Sequence, residues 1–184
     1  MLGFYNYTVI LTYIGMLAGF TGIIFSIAGK PLAAVICLLA AGLCDIFDGK
    51  VASTRERTRE EKRFGVQIDS LSDLISFGAL PAVMVSSASG LKLRAVIPAG
   101  VYLLAALIRL GWYNVDEEQR QDKEATRRVI YKGLPVTSAA LIFPVVMLAC
   151  HFLKWPADIL GPIFLCITAV LFLLPFRIKK PPIL

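Results

Sequence analysis

The chain has 184 residues, 57% of them apolar and 17% charged, with a formal net charge of +6. Soluble domains run at about 45–50% apolar and about 25% charged, so this composition excludes a disordered chain, a basic nucleic-acid-binding domain and most soluble folds. The apolar residues fall in blocks about as long as a bilayer is thick, and the chain reads as an all-α integral membrane protein: one domain over 1–184, a bundle of about six transmembrane helices embedded in the lipid bilayer, with no nucleic-acid partner.

The first span covers about 8–28 and carries Thr12, with Gly15 and Gly19 at the GxxxG spacing that lets helices approach closely. No basic region precedes it and it continues to spanning length, so no cleavable leader is expected. Gly29-Lys30-Pro31 turns into the second span, 32–52, with Pro31 suited to a first helical position. That span ends in Asp45, Asp48, Gly49 and Ala52. A charged connection over 53–63 follows, with Arg55, Arg57, Arg59, Lys62 and Arg63 against three glutamates. Thr58 and Glu61 have the spacing of a capping box, which predicts that the third helix starts before the membrane. The third span, 62–87, carries Gly65, Asp69, Asp73 and Ser76. Ala88-Ser89-Gly90 leads to the fourth, 93–113, with Arg109 inside it. The second charged connection, 116–132, has Arg120, Lys123, Arg127, Arg128 and Lys132 against five acidic residues. The fifth and sixth spans, 134–153 and 157–176, are joined by Lys154-Trp155-Pro156. His151 sits at the outer end of the fifth, with no catalytic role expected. Cys37, Cys44, Cys150 and Cys166 lie in apolar segments without metal-ligand spacing and read as apolar packing side chains.

Six passes put both termini and both charged connections on one side. Fourteen of the nineteen Lys and Arg residues lie there, four lie on the other side, and Arg109 is within a span. The excess of positive charge predicts that this side, with both termini, is cytosolic.

Asp45, Asp48, Asp69 and Asp73 interrupt the apolar pattern. An ionisable group in a span costs about 2.5–3.5 kcal/mol on insertion scales and usually serves function. Asp45, Asp48 and Ala52 are three and four apart, and Gly65, Asp69 and Asp73 are each four apart, so each set shares one helix face. The spans are joined by a short connection, and the two faces can converge on one pocket. Oxygen-only ligands suit a hard divalent cation, Mg²⁺ or Mn²⁺, in preference to zinc. At about 1.5 Å rise per residue, Asp69 and Asp73 lie roughly 9 and 15 Å beyond Arg63. The pocket therefore opens to the cytosol and reaches into the lipid zone. Gly49, Ala52 and Gly65 leave space for a polyphosphate ligand or, alternatively, only permit close helix packing.

The pattern Asp45-x-x-Asp48-Gly49-x-x-Ala52 with Gly65-x-x-x-Asp69-x-x-x-Asp73 resembles the signature of the CDP-alcohol phosphatidyltransferase family. The resemblance implies a six-helix membrane enzyme that moves a phosphatidyl or related group from a CDP-linked donor to an alcohol and releases CMP. Asp69-Ser70-Leu71-Ser72-Asp73 with Ser76-Phe77-Gly78 and Pro81, Arg109-Leu110 with Asn114, and Lys132-Gly133-Leu134-Pro135 are most similar to the family's phosphatidylserine-forming branch. That implies CDP-diacylglycerol and L-serine as substrates, and a homodimer by analogy. It also assigns Asp45, Asp48 and Asp69 to the metal, and Asp73 both to the metal and to the role of general base. Thr12 is implied to touch the nucleotide. The family has Arg directly after the alanine where this chain has Ser53, and Arg55 is expected to take its place.

For the acceptor, Arg109 is expected to hold the serine carboxylate; its alternative is a salt bridge to one of the aspartates. Asn114 and Lys132 lie at the boundary, Lys132 serving the acceptor or simply a lipid headgroup. Ser76, one turn after Ser72, lines the acceptor pocket or packs. Glycerol phosphate or inositol phosphate is the rival acceptor, disfavoured by a single buried basic residue. A divalent-cation transporter is the rival from another class, disfavoured by the nearly wholly apolar outer halves of the spans.

Overall fold

A computed structural model of the protein describes residues 3–52, 54–122, 130–175 and 177–179. Helix α1 (Tyr7–Ile27) turns back at Gly29, whose φ of +70° suits a residue without Cβ, and Pro31 opens α2 (Pro31–Ala52). The third pass starts at the expected cap. The Glu61 amide donates to Thr58 Oγ1 at 3.2 Å and the Thr58 amide donates to Glu61 Oε2 at 2.9 Å, so the chain turns helical several residues ahead of its apolar run. This pass is α3 (Arg59–Asp73), a π-helical segment (Leu74–Ala79) and α4 (Leu80–Ala88) in unbroken succession.

The π segment has a local cause. Pro81 lacks the amide that an α-helix would direct at the Phe77 carbonyl. That carbonyl instead accepts from the Tyr102 hydroxyl at 2.5 Å. Tyr102 is wholly buried, its ring 5.4 Å from Phe143 and 5.5 Å from Phe172, and with Leu38, Leu80 and Leu165 these form the core between the passes. Tyr102→Phe should lower stability by about 1–2 kcal/mol, the upper part of the range for hydrogen bonds between helices in lipid; reversible unfolding in mixed micelles measures it.

Helix α5 (Leu93–Asp122) runs nine residues past the expected 113. The added stretch leaves the apolar zone but holds its helix through the Glu117–Arg120 pair, three apart. Strand β1 (Ile130–Lys132) pairs antiparallel with β2 (Arg177–Lys179), a short ladder added to the helical bundle. A 3₁₀ turn (Val136–Ser138) leads into α6 (Ala139–Phe152), and α7 (Ala157–Leu173) completes six apolar passes. Among the described residues, four passes are long and apolar enough to cross a membrane; α6 and α7 are shorter apolar helices. Large apolar side chains such as Ile36, Leu141 and Val145 are exposed on the perimeter, as a lipid-facing surface requires.

The two ends of the bundle are stitched separately. At the charged end, Asn6 Nδ2 donates to Glu61 Oε1 at 3.0 Å, Tyr7 meets Thr54 at 3.0 Å, Arg63 pairs with Glu118 at 3.5 Å, and β2 lies on β1. At the other end, Arg94 pairs with Asp158. The even number of passes follows from these contacts.

Candidate active site

The carboxylates gather where α2 and α3 leave the apolar zone. Asp45 and Asp48 come from the last turns of α2. Asp69 and Asp73 come from the inner half of α3, whose start is fixed by the Thr58 cap. One oxygen each from Asp45, Asp48 and Asp69 lie within 4.8 Å of one another. Asp73, one turn deeper and 9% exposed, lines the same cavity without joining that triad. The cavity encloses about 190 Å³ including its open mouth, and Thr12, Cys44, Ser72 and Ser76 also line it.

This arrangement fits a divalent ion. Oxygen ligands at about 2.1 Å from one Mg²⁺ stand roughly 3–4 Å from each other, and the triad's oxygens all lie within 4.8 Å of one another. The donor set is all oxygen. Three carboxylates this near one another repel, and no Lys or Arg side chain is among the residues lining the cavity. A bound divalent cation would supply the positive charge that the lining residues do not.

The small residues differ in what surrounds them. Nothing stands within 4 Å of where a Cβ on Gly49 would be; Gly49 is exposed, next to Asp48 in sequence, and is not itself among the cavity's lining residues. Ala52 is half-buried at the end of α2. A Cβ on Gly65 would meet Arg57 Nη1 at 3.2 Å. Arg57 therefore lies over the head of the face that carries Asp69 and Asp73. Arg55, expected there, is exposed and pairs with Glu61 at 3.7 Å, directed at the α3 cap. Ser53 lies outside the described residues. Nothing in the spacing distinguishes Arg55 from Arg57. The signal was the alternative of two basic residues within one short connection, one of which had a glutamate at the cap to hold it.

Helix α1 packs into the site. Thr12 Oγ1 donates to Asp48 Oδ2 at 3.1 Å, and Ser76 Oγ donates to the Gly15 carbonyl at 3.3 Å. A Cβ on Gly19 would stand 2.8 Å from Ser76 Cα, so glycine is needed for the approach. The GxxxG pair is a packing device here, and Ser76 both packs and lines the cavity.

The other expected acceptor residues stand apart from the cavity. Arg109 is buried, its Nε donating to the Leu134 carbonyl at 3.3 Å and its guanidinium 5.4 Å over the Trp112 ring. It faces the Gly133–Leu134 connection and is not a cavity residue. Asn114 accepts from Ser70 Oγ at 2.5 Å and donates to Gln67 Oε1 at 3.1 Å, clasping α3 to α5. At about 100° per residue, Gln67 points well away from the face of Asp69 and Asp73, while Ser70 lies on its flank. Lys132 belongs to β1, and its side chain lies outside the described residues.

Comparison with known proteins agrees with this geometry. The family described as CDP-alcohol phosphatidyltransferase matches residues 5–174. The chain is similar to the CDP-diacylglycerol–serine O-phosphatidyltransferase of Saccharomyces cerevisiae, 32% identical over 142 residues, covering 71% of this chain and 50% of the yeast protein. It is similar to the protein of the same name from Mycobacterium leprae, 29% identical over 136 residues, covering 71% and 43% of the two chains. It is 36% identical over 133 residues to the archaetidylserine synthase of Methanothermobacter thermautotrophicus, covering 72% and 53%. The chain spans about half the length of these relatives.

Proposed function

The chain belongs to the CDP-alcohol phosphatidyltransferase family, and on that premise we propose that it transfers a phosphatidyl group from CDP-diacylglycerol to the hydroxyl of L-serine, giving phosphatidylserine and CMP. The observation that carries this reading is the triad of Asp45, Asp48 and Asp69 oxygens at the mouth of a cavity with Asp73 beneath it. The names of the relatives support the acceptor: they differ in the lipid and agree on serine.

Asp45, Asp48 and Asp69 would hold Mg²⁺ or Mn²⁺, which when bound offsets the negative charge of the donor's diphosphate and of the departing CMP. The residues do the rest. Open space beside Gly49 admits the nucleotide end of the donor, and Arg57 over Gly65 offers its guanidinium to a diphosphate oxygen. Asp73 takes the proton from the serine hydroxyl onto a carboxylate oxygen as the hydroxyl oxygen attacks phosphorus. Burial of Asp73 among Ser72, Ser76 and Phe77 limits competing attack by water. Arg109 donates to the Leu134 carbonyl outside the cavity lining, so the serine carboxylate, whose hydroxyl must reach Asp73, is not assigned to it. The charged end carries fourteen of the nineteen Lys and Arg residues, which assigns the mouth and both termini to the cytosol.

Release of CMP from CDP-diacylglycerol in micelles tests the reading, with L-serine, glycerol phosphate or inositol phosphate as acceptor and Mn²⁺ or a chelator present. We expect CMP only with serine and metal together. Release with glycerol phosphate, and none above buffer with serine, would overturn the acceptor assignment.

A further inference from the structure

Helix α1 contributes no carboxylate, yet one of its residues reaches both ligand-bearing helices. Thr12 is 7% exposed. Its hydroxyl donates to Asp48 Oδ2 at 3.1 Å, and its carbonyl accepts from Ser72 Oγ at 3.2 Å. Ser72 immediately precedes Asp73 and stands three residues after Asp69. Thr12 thus touches the α2 ligands directly and the α3 carboxylates through their neighbour.

The direction of the Thr12 hydroxyl is informative because a helical threonine usually gives its proton to the carbonyl four residues back. Among the described residues Thr21 and Thr168 do so, donating to Leu17 O and Phe164 O, each at 2.7 Å. Thr12 instead reaches across to a carboxylate on the next helix. Holding one Asp48 oxygen fixes the plane of the carboxylate, and so the place of its partner oxygen. The β-branched side chain has few rotamers, and the Gly15 and Gly19 contacts keep α1 from sliding. The donor is therefore held rigidly before any ion arrives.

We propose that Thr12 is a positioning residue for the metal-holding carboxylates: its hydroxyl sets the orientation of Asp48, and its backbone, gripped by Ser72, sets the distance between the α2 and α3 ligands. This differs from a contact to the nucleotide, and it rests on the reading that the triad binds a divalent ion. Groups that orient metal ligands typically change metal affinity by about 10–100-fold when removed.

The test is direct Mn²⁺ binding to the purified full chain, read from the free-Mn²⁺ spin-resonance signal, beside the KM for CDP-diacylglycerol at saturating Mn²⁺. Thr12→Val keeps the shape and removes the donor. We expect it to weaken Mn²⁺ binding about 10–100-fold while the KM for the donor stays at the parent value. Thr12→Ser, which keeps the hydroxyl, should bind Mn²⁺ nearly as the parent does. Thr12→Ala serves in place of the valine variant if the latter melts far below the parent without metal. Parent-like Mn²⁺ affinity in both donor-less variants overturns the proposal, and a raised donor KM with intact Mn²⁺ affinity assigns Thr12 to the nucleotide instead. A parent protein that binds no Mn²⁺ removes the metal reading itself and this inference with it.

Discussion

Asp73→Asn should lower serine-dependent CMP release by about 10²–10⁴-fold, the contribution of a positioned general base. The substitution is nearly isosteric, and the side chain is buried at the inner end of the cavity, so the packing around Ser72 and Ser76 is kept. An amide cannot take up the hydroxyl proton. Because Asp73 lies outside the set of oxygens within 4.8 Å of one another, Mn²⁺ affinity should fall much less than the rate does. The loss should appear in kcat with the serine KM little changed, the signature of an interaction made in the transition state. A variant that turns over near the parent rate would place the base elsewhere. A variant that loses Mn²⁺ binding together with the rate would make Asp73 a ligand before anything else.

The carboxylate cluster was legible in the sequence because helical periodicity fixes which residues share a face. Three- and four-residue spacings, with a connection too short to separate the helices, leave Asp45, Asp48, Asp69 and Asp73 little choice but to converge. The passes were legible because apolar block length is set by the bilayer. What the sequence hid depends on rotation and on long-range partners. The side to which Arg109 turns is set by the Leu134 carbonyl, which no local pattern announces. Asn114 was hidden for the same reason: its partners Gln67 and Ser70 are more than forty residues away. The π segment had a readable cause in Pro81, yet it needed Tyr102 to receive the freed carbonyl. Strands β1 and β2 are three residues each, too short for an alternating pattern to stand out. Arg57 and Arg55 sit in a connection without periodicity, so only the folded chain distinguishes the one over Gly65 from the one at the Glu61 cap.

Asp69→Asn should abolish Mn²⁺ binding and turnover while leaving the metal-free protein at least as resistant to heat as the parent. The two halves of this expectation come from the same geometry. Asp69 is the α3 member of a triad whose other two oxygens come from α2, so replacing it leaves ligands on one helix only. Without an ion, the three carboxylates oppose one another across less than 5 Å in a partly desolvated site. A neutral amide of the same shape relieves that repulsion and can donate to Asp48. A stability gain that erases function is the expected trade where a site is strained for its ligand. For the parent, a ligand at 100 times its dissociation constant stabilises by about 2.7 kcal/mol, so Mn²⁺ should raise its melting temperature by several degrees, whereas the variant should show no shift. A variant still stabilised by Mn²⁺ would mean that the ion binds elsewhere. A variant that melts far below the metal-free parent would mean that Asp69 holds the bundle together and that its carboxylate is structural. Because the melting shift is read without substrate, it separates failure to hold the ion from failure of the chemistry, which the Asp73 variant probes alone.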